Sequence, residues 1–376
     1  MVERIERLFR RLGFTLASLV SPAAVMGQQI WRVADRPTLT IGSRDAEGPE
    51  LFGSVGGAFR LGSGNIVAAD RKNLELRYFS PTGKHLKTSG RKGGGPGEFQ
   101  HLSMFLGCAG DSVFVYDVAL QRMSVFGPDG IYVRAIRVLD WSSNGYPPYD
   151  ISCGRTGTFA LVNRSDRSAE PPKGEGPLRH DVEITLIGRN DSSVSLGKFP
   201  ASEMYFRAPA AGPRHLGKRT TVAVGSSTAY VGTGDKYEVA EFSLRGERVG
   251  AIRESRAPIP VTSGHVAAYV TEYISRNPGR SEGSVRQYFG ELEWPKEFPA
   301  NGRLMVDRSD NLWIEEFPIP GKDIREWIVY ARSGTQIAVI TLPKGFRLLE
   351  AGNDYVLGVW RDEFDVDYLR VYSISK

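Results

Sequence analysis

The residues with the clearest capacity for metal chemistry are the five histidines, His85, His101, His180, His215 and His265. His101 and His215 occupy similar positions, each followed by Leu and each just ahead of a stretch typical of a β-strand. They are the alternative candidates for a metal site. A catalytic zinc takes about three protein ligands, and no third histidine stands at an equivalent position. The sequence therefore predicts no metal and no cofactor.

Acidic residues that could act in catalysis are few in the same stretches. A calcium site needs six to eight oxygen ligands, and these stretches offer only Asp150, Asp307 and Glu350. No GxSxG, HExxH or P-loop pattern occurs. No catalytic residue is assigned, and an enzymatic activity is left open but not favoured.

Arginine gives a different signal, because it is unusual inside a sheet unless it is paired. Its forked donors suit carboxylate or phosphate, so we hypothesise a positive mouth that holds an anionic group, completed by aromatics of the loop WSSNGYPPY. The candidate ligand-binding residues are Arg60, Arg91, Trp141, Tyr146, Arg219, Arg303 and Arg347. In the alternative, each arginine pairs with an acid in a nearby loop. Those acids are Asp70, Asp117, Asp235, Asp362 and Asp365.

The elements that must position these residues recur along the chain. Each unit has a Gly/Asn/Asp turn, an apolar strand, a polar loop and further alternating strands, as in residues 62–90 and 109–138. The residues after the first turn are Asn65, Ser112, Thr158, Thr228, Asn311 and Tyr355. Their spacing is typical of four-stranded units, with two insertions.

Units of this kind close into a ring, because each buries a face that it cannot bury alone. The last unit stops at Lys376 after three strands, and residues 30–42 form an unassigned strand at the other end. Pairing the two would close the ring and cover an exposed edge. The sequence thus predicts an all-β fold: a six-bladed β-propeller closed by an N-terminal strand in the last blade, with residues 28–376 as a single domain.

Several segments resemble a known family. GRKGGGPGEF at 90–99, followed by VFVYD, resembles the linker and blade start of NHL-type six-bladed β-propellers. YEVAEFSLRGERV, FPANGRLMVDRSDNLWI and VLGVWRDEFDVDYLRVY resemble exported bacterial propellers of unassigned activity. The resemblance implies a platform fold and no particular reaction.

The two insertions differ in character. Residues 200–219 are rich in Ala, Pro, Gly and Arg and are expected to form an ordered loop. Residues 262–294, between blades four and five, predict a small helical hairpin that begins at Thr262 and has a second helix from Ser284. Its apolar face packs on neighbouring blades, or forms a lid or a partner-binding face; the sequence leaves these alternatives open.

Residues 1–27 predict a signal peptide. Four arginines precede an apolar run that contains Pro22 and ends in small residues before Gln28. The run is short for a bilayer, so no permanent membrane span is expected, and the protein is predicted to be exported to the periplasm or beyond the cell. The net charge of +5 is small, and no basic stripe is interleaved with aromatics, which argues against nucleic acid as a partner.

Cys108 and Cys153 are the two cysteines of the chain, and they fall on adjacent inner strands at nearly matched heights. In an exported protein they either pair as a disulfide or serve as two small buried hydrophobic residues. The sequence leaves both readings open.

These observations favour a monomeric extracytoplasmic binding module. Its top face and helical insert would hold a protein, peptide, glycan or anionic ligand. The alternative is a channel-mouth lyase or hydrolase, with a metal-dependent mechanism among its variants. A structural role in a cell-envelope assembly is the third hypothesis.

Overall fold

The computed structural model describes residues 29–45, 47–108, 111–141, 147–164, 174–207 and 210–376. The predicted signal peptide lies outside these residues. Within them, none of the helices is both long and apolar enough to cross a membrane. Strands dominate the described part of the chain, with two α-helices and short 3-10 turns at Gly48–Glu50 and Val138–Trp141.

Four antiparallel sheets of four strands follow one another along the chain, after the two N-terminal strands β1 (Gln29–Val33) and β2 (Leu39–Ile41). The first sheet contains β3 (Val55–Arg60), β4 (Ile66–Asp70), β5 (Glu75–Phe79) and β6 (His85–Ser89). The second contains β7 (Leu102–Gly107), β8 (Val113–Asp117), β9 (Arg122–Phe126) and β10 (Tyr132–Arg137). The third contains β11 (Asp150–Cys153), β12 (Phe159–Arg164), β14 (Asp181–Ile187) and β15 (Ser193–Pro200). The fourth contains β18 (Thr221–Val224), β19 (Thr228–Gly232), β20 (Glu238–Ser243) and β21 (Arg248–Arg253).

The C-terminal part forms one nine-stranded sheet with two halves. One half contains β22 (Leu304–Val306), β23 (Leu312–Glu315), β24 (Arg325–Tyr330) and β25 (Gln336–Leu342). The other contains β26 (Phe346–Ala351), β27 (Tyr355–Arg361) and β28 (Asp367–Ser375). The N-terminal strands β1 and β2 complete this sheet.

The first strands of these units contact one another in a closed cycle. The contacts run β3 to β7, β7 to β11, β11 to β18, β18 to β22, β22 to β26, and β26 back to β3. This cyclic packing is that of a β-propeller. We call these six strands the inner strands. The side of the ring on which the inner strands begin is called the start face, and the opposite side is called the end face.

Apolar clusters fill the spaces between neighbouring sheets. One joins the first and second sheets through Val67, Leu76 and Val115, and another joins the third and fourth through Ile184 and Val231. The second strand of each unit is covered on both sides, and Ile66, Val67 and Ala68 have no exposed surface. Such strands have continuous apolar sequences, as in IVAAD and VFVYD.

Buried carboxylates fix the beginnings of the inner strands. Asp70 accepts the backbone N–H of Gly53 at 2.9 Å, and Asp117 accepts that of Gln100 at 2.6 Å. Neither forms an ion pair with a candidate ligand-binding arginine; Asp70 pairs instead with Arg77 in β5, at 3.2 Å. The two aspartates, predicted as partners of those arginines, are therefore structural caps.

The N-terminal segment pairs with the last strand. In β2, Leu39 lies opposite Val371 and Ile41 opposite Leu369, which is the pairing that the sequence predicts. A further contact was not predicted: β1 runs parallel to β25, with Trp31 opposite Ile340. The reason is apolar burial, because Trp31 is 4% exposed and packs in the core of the nine-stranded sheet.

Both insertions differ from the prediction. The first contains strands where a loop was expected, and the second helix of the hairpin begins earlier than expected. Part of the expected loop 200–219 forms β16 (Met204–Arg207) and β17 (Ala210–Pro213), which pair as a three-stranded sheet with β13 (Gly176–Leu178). The hairpin consists of α1 (Ser263–Ser275) and α2 (Glu282–Gly290). Thr262 caps α1 as predicted, whereas α2 begins two residues before Ser284, with Ser281 at its N-cap position.

Cys108 and Cys153 form a disulfide, with their Cα atoms 5.9 Å apart. Cys108 directly follows β7 and Cys153 ends β11, so the bond joins the second and third sheets at the end face. It adds a covalent link between two units that otherwise meet through apolar side chains.

The first prediction concerns the closure by β2. Ile41 is 3% exposed and packs between the last and first units, whereas Thr40 points to solvent. We expect Ile41→Asn to lower the free energy of unfolding by about 3 kcal/mol, because it buries an unpaired amide. The matched change Thr40→Asn should stay within about 0.5 kcal/mol. Equal effects in denaturant titrations would contradict the closure.

The second prediction concerns the disulfide. The chain-entropy argument for a crosslink that spans 45 residues gives about 4 kcal/mol of stabilisation. A reductant should therefore lower the denaturant midpoint of the wild type. The double variant Cys108→Ser, Cys153→Ser should unfold at the lower midpoint and not respond to reductant. A wild-type midpoint that is unchanged by complete reduction, verified by thiol titration, would refute this role.

Candidate functional site

Three arginines on the start face each reach from one unit to a backbone carbonyl of the next inner strand. The bonds run from Arg303 Nη1 to Leu348 O at 3.0 Å, from Arg347 Nη2 to Val55 O at 2.8 Å, and from Arg71 Nη2 to Ser103 O at 2.9 Å. We call these residues, Arg71, Arg303 and Arg347, the arginine arc. They line consecutive junctions of the ring, so cationic groups follow one side of the start face.

Local features of the sequence place each arginine. Arg71 directly follows the buried cap Asp70, in the turn after β4. A Cβ at Gly56 would lie 2.5 Å from Arg71 Nε, so glycine makes room for this side chain against β3. Arg347 is the second residue of β26, and Arg303 directly precedes β22.

The positive charge of the arc is only partly compensated. Arg303 bonds to Glu315, with Nε to Oε2 at 3.0 Å. Arg347 and Arg71 have no ion pair with any acid among the described residues. Burial, followed by the nearby charge of Arg303, lowers the pKa of Arg347. An anion placed here would relieve the repulsion between these guanidinium groups.

The helical insert lies beside the arc. Glu272 of α1 accepts the backbone N–H of Gly321 at 3.2 Å, in the segment between β23 and β24. Burial lowers the pKa of Arg325, at the start of β24, and the positive charges of Arg303 and Arg276 add to this effect. The end of α1 thus brings Arg276 near Arg325, which in turn lies near the Arg303 end of the arc.

Asp150 and Arg219 lie on the start face as well. Asp150 begins β11 and is reached by solvent, yet the protein around it raises the pKa of its carboxyl group by desolvation. The N–H of Ile151, at 2.9 Å, and the charge of Arg219 oppose that rise. Arg219 is exposed and forms no ion pair within the described part of the chain.

Two predicted arginines lie away from the arc. Arg60 is the last residue of β3 and belongs to the end face, where its backbone N–H donates to Glu350 at 2.7 Å. A six-residue strand spans about 20 Å, which separates Arg60 from Arg347. Arg91 is exposed and pairs with Glu98 at 2.8 Å. The prediction that all five arginines share one mouth is therefore wrong for these two.

The predicted aromatic part of the pocket is not assembled on the arc. The ring of Trp141 packs on Phe159, with centroids 5.2 Å apart, and its indole N–H donates to Asp191 at 3.3 Å. Tyr146 lies outside the described residues. The arc therefore depends on cationic and backbone groups rather than on this loop.

Neither histidine candidate has the surroundings of a metal ligand. His101 Nδ1 lies 2.9 Å from Ser103 Oγ, while His215 is enclosed by rings of the helical insert. The acids considered for calcium do not converge: Glu350 binds Arg308 at 2.7 Å, and buried Asp307 accepts the indole N–H of Trp313. Across the described segments, no group of three or more His, Cys, Asp or Glu is arranged to hold a metal ion.

His215 instead anchors the helical insert. Its Nδ1 lies 2.7 Å from the hydroxyl of Tyr269, and its ring centroid lies 4.9 Å from that of Phe289. The other rings around it are those of Tyr273, Tyr288 and Trp294. Arg214 approaches Glu293 at 3.7 Å beside this cluster. The apolar face of the insert thus packs on its own second helix and on His215, in the segment between β17 and β18, and burial lowers the pKa of His215.

The missed residues are Arg71, Arg276 and Arg325. Arg71 had a local signal, because it follows the cap Asp70 at a turn. Arg276 and Arg325 had none. Arg325 comes near Arg303 because both approach Glu315, at 3.9 and 3.0 Å, within the β22–β25 half. Arg276 comes near Arg325 through the docking of α1.

Comparisons with known proteins bear on the fold. No protein-family model matches the chain, and no curated protein matches it at a significant level. Among solved structures, a putative exported protein from Bacteroides fragilis is similar with 12% identity and a TM-score of 0.50, covering 93% of this chain and 97% of that one. A member of the DUF4221 family from Bacteroides vulgatus is similar with 9% identity and a TM-score of 0.51, covering 93% and 99%. Both likenesses concern the fold alone.

The third prediction follows from His215. Because its folded-state pKa lies below the ordinary value of about 6.5, folding favours the neutral ring. Its contribution to stability should be fully present above that value and decline as the pH falls through it towards the folded-state pKa. We expect His215→Phe to show a smaller loss of melting temperature between about pH 7 and pH 5. The control His101→Gln should keep the wild-type slope; a slope unchanged in His215→Phe would contradict the assignment.

Proposed function

We propose that this chain is an exported six-bladed β-propeller that acts as a binding module, and that the arginine arc holds an anionic group of its ligand. The closed cycle of inner strands and the pairing of β2 with β28 support six blades in a single domain, residues 28–376. The segment from Gly90 to Phe99 supports an NHL-like blade start, because Phe99 is fully buried at the inter-blade turn.

Export is supported by three observations. The N-terminal 27 residues have the layout of a signal peptide. The disulfide is typical of proteins outside the reducing cytosol. One protein of similar fold is described as a putative exported protein. The destination is the periplasm or the extracellular space, where the module would act as a monomer.

The observation that carries the binding function is that Arg71 and Arg347 form no ion pair with an acid among the described residues. Each donates one bond to a carbonyl, which holds the guanidinium in place and leaves other N–H groups for a ligand. Arginine forks bind carboxylate, sulfate or phosphate through paired hydrogen bonds. The ligand is therefore an acidic protein, peptide or glycan that presents such a group to the start face.

One observation favours the enzymatic alternative, a lyase or hydrolase. Desolvation raises the pKa of Asp150 beside the charge of Arg219, as in a residue that exchanges protons during catalysis. No second catalytic group is placed with it among the described residues, so binding without turnover is the better supported function. Turnover of an anionic substrate that Asp150→Asn abolishes would favour the enzyme.

The fourth prediction tests the arc. We expect the protein to bind a sulfated dextran, as a probe polyanion, and neutral dextran much less. Arg71→Gln and Arg347→Gln should each weaken that binding by about tenfold, as loss of a charge-assisted contact of about 1.4 kcal/mol requires. Affinity should also fall as salt rises, because the contact is ionic.

The matched control is Arg134→Gln. Arg134 is exposed on the outer strand β10, so this variant removes the same charge from another surface. It should bind like the wild type in calorimetry. Equal losses in all three variants would indicate a general charge effect and would refute a site at the arc. Replacement of residues 262–294 by a short linker tests separately whether the insert forms a wall of the site.

A further inference from the structure

A second site is formed at the start-face ends of the outer strands of the fourth sheet, and Asn301 behind it lies two positions before Arg303 of the arc. A cleft of about 280 Å³ opens between the ends of β20 and β21 and the two segments that lead into and out of the helical insert. Its walls include Tyr237, Glu238, Arg253, Glu254, Arg256 and Phe298. The two insert segments meet at a β-bridge between Pro260 and Glu297, which fixes that wall.

Four charged residues of this cleft, Glu238, Arg253, Glu254 and Arg256, are already held in ion pairs, whereas Lys236 and Glu297 in its lining form none among the described residues. Arg256 binds Glu316 through two nitrogens, at 2.7 and 3.0 Å, and Glu254 at 2.8 Å. The central carbon of its guanidinium lies over the ring of Tyr237, 4.0 Å from the ring centroid. Glu238 likewise accepts bonds from Arg253, at 3.0 Å with Nε. A charged ligand would have to compete with these pairs.

Behind the wall lies a smaller pocket of about 20 Å³, between the fourth sheet and the β22–β25 half. It shares Tyr237, Glu254 and Arg256 with the cleft, so the two spaces adjoin, and Val239, Ile252 and Ile314 make its interior apolar. The pocket is about the size of one small polar group. Its lining includes two buried side chains with polar groups, those of Asn301 and Tyr330, and the Tyr330 hydroxyl already donates to Glu254.

Asn301 is 6% exposed, and its amide orientation is fixed because Nδ2 donates to the carbonyl of Gly302 at 2.9 Å. Its Oδ1 has no hydrogen-bond partner among the described residues. A buried acceptor without a donor is costly, and here it lines the pocket behind the cleft. The geometry therefore favours a ligand that inserts one O–H or N–H group.

We propose that this cleft binds a neutral sugar residue of a glycan, with one hydroxyl group donating to Asn301 Oδ1. Sugar hydroxyls both donate and accept, so they can hydrogen-bond to the paired carboxylates and guanidiniums without separating them. Tyr237 and Pro258 supply apolar surface for the faces of the ring. The volume lies near the lower limit for ligand sites, which suits one sugar ring rather than a long segment.

The experiment screens the full mature chain against an array of neutral oligosaccharides of glucose, galactose, mannose and N-acetylglucosamine, together with acidic glycans and peptides. The best neutral binder is then titrated by calorimetry. Asn301→Leu removes the acceptor and fills the pocket, and Tyr237→Ala removes a wall of the cleft. We expect each to weaken binding at least tenfold, while salt up to about 1 M, where charge interactions are strongly screened, changes it little.

The matched control is Asn353→Leu, which alters an exposed asparagine on the end face that accepts a bond from Ser309. It should keep the wild-type affinity, and melting curves identify any variant that does not fold. If Asn301→Leu fails to fold, the affinity of Tyr237→Ala for the neutral oligosaccharide tests the proposal by itself. The proposal is overturned if no neutral glycan binds at millimolar concentration, if both variants bind like the wild type, or if only acidic glycans or peptides bind.

This site does not depend on the arginine arc. Arg71→Gln and Arg347→Gln should leave affinity for the neutral sugar unchanged. If these arginine variants lose polyanion binding and keep sugar binding, the two sites are separate. The same conclusion follows if Asn301→Leu loses sugar binding and keeps polyanion binding. Each proposal can therefore fail without the other.

Discussion

The structure depends on apolar surface that no unit can bury by itself. Each sheet has an apolar side that only the next sheet covers, as the clusters between the first and second and between the third and fourth sheets show. The same need applies at the junction of the chain ends, where Ile41 of β2 and Leu369 of β28 pack against Phe52 and Ile66 of the first unit. The ring is stable only when this last junction is filled, so the N-terminal segment is part of the core.

Closure of the ring also determines where the polar groups meet. Buried aspartates hold the beginnings of inner strands through backbone N–H groups, and this keeps the start face rigid. On that scaffold, arginines extend to carbonyls of the next unit and stay in place without an acid partner. Rigid, partly desolvated cations are a suitable preorganised surface for an anion, because little side-chain entropy remains to be lost on binding.

The two proposed sites differ in their electrostatics. On the arc, burial and then the positive charge of Arg303 lower the pKa of Arg347. In the cleft, Arg256 and Glu254 compensate each other, and the unmet requirement is one buried acceptor, Asn301 Oδ1. The helical insert lies next to both, since α1 approaches the arc and the segment through Phe298 lines the cleft. A single insertion thus shapes two surfaces of different chemistry.

The sequence by itself determined most of the strands, their turns and the helical hairpin, because these follow from local alternation, turn residues and caps. It also predicted the pairing of β2 with β28, because the last unit stops after three strands and an unassigned strand precedes the first unit. It also singled out Arg347 and Arg303. Only the tertiary structure decided that Arg60 faces the opposite end, that Arg71 joins the arc, and that His215 anchors the insert. These positions depend on which side chains of strands that are far apart in the sequence become neighbours when the ring closes. The spacing of residues along the chain does not specify those contacts.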